Sequence, residues 1–312
     1  MNNTDVLLKK LKLSRIEDCF LFPVYFEIET VNACNASCRM CTVKKWHKSS
    51  SAYMSPELFQ KISDELIEYK DIVRVVNMSR DGEPLLDDKL EERIAYLKKC
   101  GIKHVIFSTN ASLLNNERGL SLLQCGLDEI MFSVDGLKKD TFEKIRKGLN
   151  FEEVVGNIFQ FIKLRDKLLS KLIIRVRMVI QEDNISEVEE WGKFWRSFLQ
   201  KQDCVHAKSV HSWGNQLDNY VSVRDFQKIE SPCTSPFSTM VIRYNGDVTI
   251  CPVDFDFKYV NGNINFHSIK DIWQKGIYFK NFRQTHLKGL RDKFDFCKGC
   301  RLWDSEESKI CF

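Results

Sequence analysis

The tightest constraint in this chain is a run of eight residues, Cys34-Asn35-Ala36-Ser37-Cys38-Arg39-Met40-Cys41, which sets three thiols at spacings of four and three. The apolar run Val24-Tyr25-Phe26-Glu27-Ile28 ahead of it reads as a strand, and polar Glu29 to Asn32 follow, so the thiols lie on the loop at a strand's C-terminal end. Three thiolates on one loop can hold three corners of a [4Fe–4S] cube and leave the last iron open to another ligand. A structural zinc site instead wants a fourth protein ligand, and none lies nearby in the sequence.

The rest of the chain sets the frame for that loop. At 312 residues it is long enough for one large domain and a small one, and its 43% hydrophobic and 29% charged content is that of a soluble globular protein. A net charge of only +4 does not call for a nucleic-acid partner or an acidic membrane surface. The N-terminus lacks a signal-peptide pattern, and the most apolar run, Leu172 to Ile180, is too short for a membrane span and carries two arginines. A cytoplasmic protein is expected. Twelve cysteines in a reducing compartment point to metal or redox chemistry more than to disulfides.

Taken in order, residues 1–22 carry Leu7, Leu8, Leu11, Leu13 and Ile16 among lysines, the pattern of a short helical extension packed on the body. The basic, aromatic stretch Thr42 to Lys48 is a loop that either folds over the thiols or stays solvated. Ser55-Pro56 starts a helix with a cap and a proline at its first position, and Leu58, Phe59, Ile62, Leu66 and Tyr69 form its apolar stripe. Strands are then expected at Ile72–Met78, His104–Ser108, Glu129–Val134, Leu172–Ile180 and Val205–Val210. Helical patterns alternate with them, including one running through Phe142, Ile145, Val154, Ile158 and Ile162 and one opened by the capping box Ser186-Glu187-Val188-Glu189. With the first strand this makes six β/α units, hence a parallel sheet with helices outside it and chemistry at the C-terminal strand ends.

Those strand ends carry motifs. The second strand runs into Ser79-Arg80-Asp81-Gly82-Glu83-Pro84, the third ends in Ser108-Thr109-Asn110, and the fourth in Ser133-Val134-Asp135-Gly136, followed by Ile145-Arg146-Lys147-Gly148. Together with C-x3-C-x2-C after the first strand, these resemble the radical S-adenosylmethionine (SAM) superfamily. The resemblance implies an α/β fold with a partial (β/α)6 TIM-like barrel over residues 23–215. It also implies that Cys34, Cys38 and Cys41 hold a [4Fe–4S] cluster whose open iron is chelated by SAM. Gly82-Glu83-Pro84 resembles the "GGEP" motif, with Asp81 in place of the first glycine, and would receive the SAM ammonium. Ser133 and Asp135 resemble the "SxDG" that contacts ribose or the SAM carboxylate. Asn110 and Arg146, the latter in an "IRxG" pattern, complete the expected cofactor contacts. On the fifth strand Arg175 and Arg177 are two apart and share a face, which puts them either inside the barrel toward a substrate oxygen or outside it under a helix.

A polar stretch from Gly214 to Glu230 precedes a different pattern. Cys233 is followed by apolar Phe237 to Tyr244, the hairpin signal Asn245-Gly246, Asp247 to Cys251, then Gly262-Asn263, a helix start at Ser268, and Cys297-Lys298-Gly299-Cys300. Two single thiols and one C-x2-C can close a tetrahedral site, and spacing alone leaves zinc and a fully ligated [4Fe–4S] cluster both open. The order of these motifs resembles the auxiliary-cluster domains called SPASM and twitch. It implies a small α+β domain over 216–312 in which Cys233, Cys251, Cys297 and Cys300 hold an auxiliary [4Fe–4S] cluster.

The resemblance implies cleavage of SAM to a 5′-deoxyadenosyl radical that abstracts hydrogen from a small polar substrate, such as a sugar or cyclitol, with electrons from a flavodoxin- or ferredoxin-type donor. An auxiliary cluster with no vacancy is suited to oxidising the substrate radical, which would make the reaction alcohol dehydrogenation. Arg175 and Arg177 are the candidates to hold the substrate oxygen. The alternatives are epimerisation of a sugar or peptide residue, with a thiol returning hydrogen, and peptide maturation. Only about twenty residues precede the first strand, so no leader-binding domain is expected at that end, which weighs against the last. Of the remaining thiols Cys100, Cys125 and Cys204 fall at the barrel end away from the cluster, while Cys19 and Cys311 stay open as donors. A zinc-stabilised binding protein is the non-enzymatic reading. The six histidines form no spaced ligand pair and read as ordinary residues.

Overall fold

The computed structural model describes residues 2–42, 52–216, 231–298, 300 and 309–312. In chain order its elements are α1 (Asn3–Leu11), β1 (Tyr25–Ile28), α2 (Pro56–Glu68), β2 (Val75–Asn77), α3 (Leu90–Lys99), β3 (Val105–Thr109), α4 (Asn116–Gln124), β4 (Glu129–Ser133), α5 (Lys139–Ile145), α6 (Phe151–Lys167), β5 (Ile173–Ile180), α7 (Val188–Arg196), β6 (Cys204–Ser209), β7 (Thr239–Ile242), β8 (Asp247–Thr249), β9 (Gly262–Asn263), α8 (Ile269–Lys275), α9 (Ile277–Leu287) and β10 (Lys309–Cys311). The basic stretch beyond Thr42 and most of the polar stretch before Cys233 lie outside the described residues. Among the described residues no helix is long and apolar enough to cross a membrane.

The chain divides into two compact units. One comprises Thr30–Ala52, Met78–Val210 and Ser308–Phe312. In it β3, β4, β5 and β6 lie side by side in parallel, with Phe107 against Ile130, Phe132 against Val176, and Val176 against Val205. Alternation then sorts the side chains. Val105, Phe107, Ile130, Phe132, Ile174, Val176, Val205 and Ala207 are buried on one face, where the Phe132 ring meets Phe161 of α6 edge-on at 5.7 Å. The opposite face carries Ser108, Glu129, Ser133, Arg175, Arg177, Cys204 and His206, so both strand-five arginines point away from the helices.

Two helix boundaries differ from the sequence expectation. The pattern from Phe142 to Ile162 is two helices, because Gly148 takes φ 92° and Asn150 caps α6, its side chain accepting from Glu153 N. Ser186 caps nothing. It lies in a 3-10 turn, Ile185–Glu187, and α7 begins at Val188. Asn184 builds that turn, accepting from Gln181 N at 2.7 Å and donating to Val179 O at 2.9 Å. Glu187, within the same turn, accepts from Leu137 N at 2.7 Å and Thr141 Oγ1 at 2.6 Å.

The sheet edge at β6 is covered by the chain's own end. β10 pairs antiparallel with it, setting Cys311 opposite His206, and Phe312 N donates to Val205 O at 3.2 Å. The Phe312 ring lies over α7, 6.2 Å from Trp191, where a Cβ on Gly192 would come within 2.3 Å of it. Only glycine admits the ring there.

The other unit comprises Met1–Glu29, Tyr53–Asn77 and His211–Glu307. Its strands run in the order β2-β1-β7-β8-β9, β1 being parallel to both β2 and β7. The expected hairpin is present between β7 and β8, with Gly246 at φ 90° in its turn. Ser55 caps α2 with Pro56 at the first helical position, and Ser268 caps α8. The N-terminal helix forms as expected and buries Leu7 against Cys19 and Phe237.

Among the described residues, the most buried ion pair fastens α6 to the sheet. Arg165 and Asp203 side chains are both 0% exposed, joined by Nη1–Oδ1 and Nη2–Oδ2 bonds of 2.9 and 2.8 Å. Asp203 also accepts from Ile174 N and Gln200 N, both at 2.9 Å. Arg165→Met removes the cation and leaves a buried carboxylate, so the unit is expected to lose about 3–5 kcal/mol. The readout is the urea midpoint of its unfolding transition, and a loss within the scatter of ordinary surface substitutions would contradict this account.

Candidate active site

The Cys34–Cys41 loop is pinned by its backbone. Ser37 N and Arg39 N donate to Lys147 O and Ile145 O, both at 2.8 Å, and Ala33 O accepts from Glu83 N at 2.7 Å. Cys38 is buried, and Cys34 and Cys41 half-buried. Burial pushes the Cys34 thiol up to about 12, and the charges of Cys38 and Cys41 close by push the same way. Burial likewise raises Cys38. Thiols in this state do not ionise into water unaided, and a bound metal that strips their protons is the partner such donors fit.

Gly82, Glu83 and Pro84 form the wall against which that loop rests. A Cβ on Gly82 would lie 2.2 Å from Val31 O and 2.7 Å from Ala33 O, so the backbone approach requires glycine. The Glu83 carboxylate is buried and accepts from Thr109 Oγ1 at 2.6 Å, Asn110 N at 2.8 Å and Leu85 N at 3.1 Å. It thereby ties the end of β3 to the second strand's turn. Asn110 Nδ2 donates to Asn35 Oδ1 at 2.9 Å, which brings the third strand's end to the cysteine loop.

Asp135 is wholly buried and bound twice over. Its Oδ2 accepts from Arg146 Nε and Nη2 at 2.8 and 2.7 Å, and its Oδ1 from Val179 N at 2.6 Å. Arg146 Nη1 lies 4.0 Å from Cys38 Sγ. The "IRxG" arginine thus stands between the "SxDG" aspartate and a cysteine of the loop. Ser133, two residues before Asp135, accepts from Arg177 Nη2 at 3.4 Å. Arg175 is engaged differently: its Nε donates to Glu129 Oε1, and His104 Nε2 lies 3.8 Å from the same carboxylate. Burial would raise Glu129, but His104 and Arg175 outweigh it and hold the group below its ordinary value. Cys204, at the start of β6, lies 3.8 Å from His206 Nδ1. Cys311 is exposed on β10.

The second group of thiols forms in the other unit. Cys233, Cys251 and Cys297 are buried and Cys300 half-buried. Burial, followed by the charges of Cys233 and Cys300, pushes Cys251 well above its ordinary value. Cys297 is raised by burial and by the other three thiols. Cys300 N donates to Cys297 O at 3.1 Å, closing the C-x2-C turn, and Arg291 Nη2 donates to Cys300 O. Among the described residues no three Cys, His, Asp or Glu side chains are drawn tightly enough to hold one metal ion, so both groupings are looser than a single-ion site. His286, to which no ligand spacing pointed, lies buried with Nε2 3.8 Å from Cys297 Sγ.

Each group of thiols falls within a stretch that a known family matches. A family model described as the radical SAM superfamily matches residues 28–194, and one described as an iron–sulfur cluster-binding domain, SPASM, matches residues 233–301. The chain is 25% identical to a tungsten-containing aldehyde ferredoxin oxidoreductase cofactor-modifying protein of Pyrococcus furiosus, over 91% of this chain and 93% of that one. It is 24% identical to the SAM-dependent 2-deoxy-scyllo-inosamine dehydrogenase of Niallia circulans, over 88% and 91%. Among solved structures, BtrN in complex with AdoMet and 2-DOIA matches with a TM-score of 0.60 at 21% identity, covering 89% of this chain and 92% of that one. Streptococcus suis SuiB bound to precursor peptide SuiA matches with a TM-score of 0.69 at 15% identity, covering 94% and 74%. These structures share the fold, the partial (β/α)6 barrel with a C-terminal auxiliary-cluster domain. SAM, a [4Fe–4S] cluster and auxiliary iron–sulfur are the cofactors this pair of domains takes. With more than half its length matched by that family, the chain belongs to the radical SAM superfamily.

Proposed function

We propose that this chain is a cytoplasmic dehydrogenase that oxidises an alcohol carbon of a small polar molecule, a sugar or cyclitol, and draws electrons from a flavodoxin- or ferredoxin-type donor. Cys34, Cys38 and Cys41 hold the SAM-binding cluster, and Cys233, Cys251, Cys297 and Cys300 the auxiliary one. When bound, SAM and its cluster supply a radical able to take hydrogen from an unactivated carbon. The chain's own residues do the placing. Gly82, Glu83, Pro84 and Asn110 shape the wall of the loop, and Ser133, Asp135 and Arg146 form the bonded shell beside Cys38.

The observation that carries the dehydrogenase reading is the auxiliary group of four thiols, Cys233, Cys251 and Cys297 buried and Cys300 half-buried, with Cys251 and Cys297 raised by burial and by the neighbouring thiols. A centre whose ligand positions are all filled by cysteine has no vacancy for substrate, and its remaining role is to take an electron. Similarity to 2-deoxy-scyllo-inosamine dehydrogenase along most of both chains supports the same substrate class. Of the two arginines on β5, Arg175 is spent on Glu129, while Arg177 stands at Ser133 in register with His206. Its place beside Ser133, at the motif-bearing end of β4, makes Arg177 the residue we assign to the substrate oxygen. A second reading is epimerisation with Cys311 as the hydrogen donor, favoured by the register that sets Cys311 opposite His206.

Anaerobically reconstituted protein is expected to bind about eight irons, falling to about four when Cys34, Cys38 and Cys41 are all changed to alanine. Four irons and one zinc would remove the internal electron acceptor and sink the dehydrogenase assignment. Cyclitols and sugars that release 5′-deoxyadenosine should then yield a ketone carrying no solvent deuterium when the reaction is run in D2O. A deuterated alcohol of inverted configuration, lost in Cys311→Ala, would establish the epimerase instead.

Arg177→Ala should lower kcat/KM by about 10- to 150-fold, the worth of one hydrogen bond to a charged group. Arg175→Ala should chiefly lower thermal stability, because it leaves Glu129 without its closest cation. The reverse pattern would move the substrate contact to Arg175.

A further inference from the structure

His286 meets the auxiliary group of thiols, and its two ring nitrogens meet two different members of it. Nδ1 accepts from the Cys233 backbone N–H at 3.2 Å, and Nε2 lies 3.8 Å from Cys297 Sγ. A nitrogen that accepts from an amide carries no proton, so the tautomer is fixed with its proton on Nε2, facing the sulfur. The ring is 1% exposed and lies among Phe282 and Phe294, at 6.1 and 6.4 Å between centroids. Water does not compete for that proton.

The frame around His286 is rigid. One turn earlier on α9, Arg283 donates from Nε to Pro236 O and from Nη1 to Trp273 O, both at 2.8 Å. Arg291, just beyond the helix, donates to Ser231 O at 3.2 Å and to Cys300 O. These bonds fix α9 against the segments that carry Cys233 and Cys300. His286 is thus held between residues far apart in sequence, with no freedom to turn away.

We propose that His286 is a positioning residue of the auxiliary cluster, donating from Nε2 to the Cys297 sulfur and raising the reduction potential of the centre. The inference rests on the assignment of Cys233, Cys251, Cys297 and Cys300 as its ligands. Reduction adds negative charge to the cluster and its sulfurs, and a fixed N–H aimed at one of them stabilises the reduced state more than the oxidised one. A higher potential makes the centre a better electron acceptor. The two contacts also divide the labour: the Nδ1 bond orients the ring, and the Nε2 bond acts on the sulfur.

The substitutions separate those contacts. His286→Asn keeps an acceptor at the δ position but cannot reach Cys297, His286→Gln places a donor at the ε position, and His286→Phe keeps the volume and neither bond. Redox titration followed by electron paramagnetic resonance of the anaerobic holoenzyme should show the auxiliary signal shifted to lower potential in the Asn and Phe variants. A tenfold loss of electron affinity corresponds to about 59 mV for a one-electron couple. The Gln variant should stay near wild type. Wild-type protein labelled with 15N-histidine should also show 15N hyperfine coupling to the reduced auxiliary centre, and unlabelled SAM adds none. Unshifted potentials in iron-replete Asn and Phe variants would overturn the inference, as would an auxiliary signal without 15N coupling. Variants that fail to retain iron leave the labelled wild-type spectrum to decide. Absence of any second signal in wild type would overturn the ligand assignment itself, a separate result.

Discussion

The Arg146 guanidinium, buried between the Asp135 carboxylate and the Cys38 sulfur, is the interaction on which the candidate site depends. Burial by itself disfavours the charge, and Asp135 and then Cys38 more than restore it, so the group sits above its ordinary value. Three segments meet there. Asp135 ends the fourth strand and also accepts from Val179 on the fifth, Arg146 follows α5, and Cys38 belongs to the loop after the first strand. A cation fixed beside the Cys38 sulfur lowers the cost of gathering thiolates there and aligns the loop with the strand ends. The adjacent carbonyls of Ile145 and Lys147 carry out the same alignment through the loop's own amides.

Glu83 has a parallel part on the other side of the loop. Both of its oxygens are engaged by donors of the second and third strand ends, so its carboxylate works as a brace, and it is Gly82 that lets the brace approach Val31 and Ala33. Burial, the leading influence on Glu83, lifts it above its ordinary value despite three hydrogen bonds. These motif residues therefore shape the loop's surroundings by fixing backbone at the strand ends. The same holds for Asp135, whose oxygens are taken by Arg146 and Val179.

Much of this was legible in the sequence because local chemistry and tertiary demand agree. Ser55-Pro56 and Ser268 begin helices where the capping rule puts them, and Arg175 and Arg177 share the face that a two-residue period dictates. Where they disagree the sequence misleads. Ser186 and Glu189 have capping-box spacing, but Asn184 bonds both Gln181 and Val179 and winds the chain into a tighter turn first. The helix break between Phe142 and Ile162 depended on Gly148 taking a left-handed φ, which its position in an apolar pattern conceals. His286 has no ligand spacing at all. It is brought to Cys297 by the path of α9, and only three dimensions reveal that its neighbours in space are Cys233 and Cys297. β10 was likewise hidden, since three residues at a chain end make no period, yet Gly192 exists in α7 to admit Phe312.

The two groups of thiols differ in a way that bears on their division of labour. The first is flanked by Arg146 and opens onto a loop with half-buried Cys34 and Cys41, so it combines a neighbouring positive charge with access for a further ligand. The second is buried at Cys233, Cys251 and Cys297, and the strongest influences on Cys251 and Cys297 are burial and the other thiols. In such a setting charge is expensive, which by itself would make an added electron unwelcome and keep the potential low. An acceptor built there needs fixed dipoles aimed at its sulfurs to offset that penalty. The geometry supplies one at Cys297 in the Nε2–H of His286, and Arg291, whose Nη2 donates to Cys300 O beside the C-x2-C turn, pulls the Cys297 thiol downward. A buried group of thiols with a donor and a cation at its C-x2-C turn suits the electron-accepting role proposed for it, and the Cys34–Cys41 loop beside Arg146 suits the SAM-binding role proposed there.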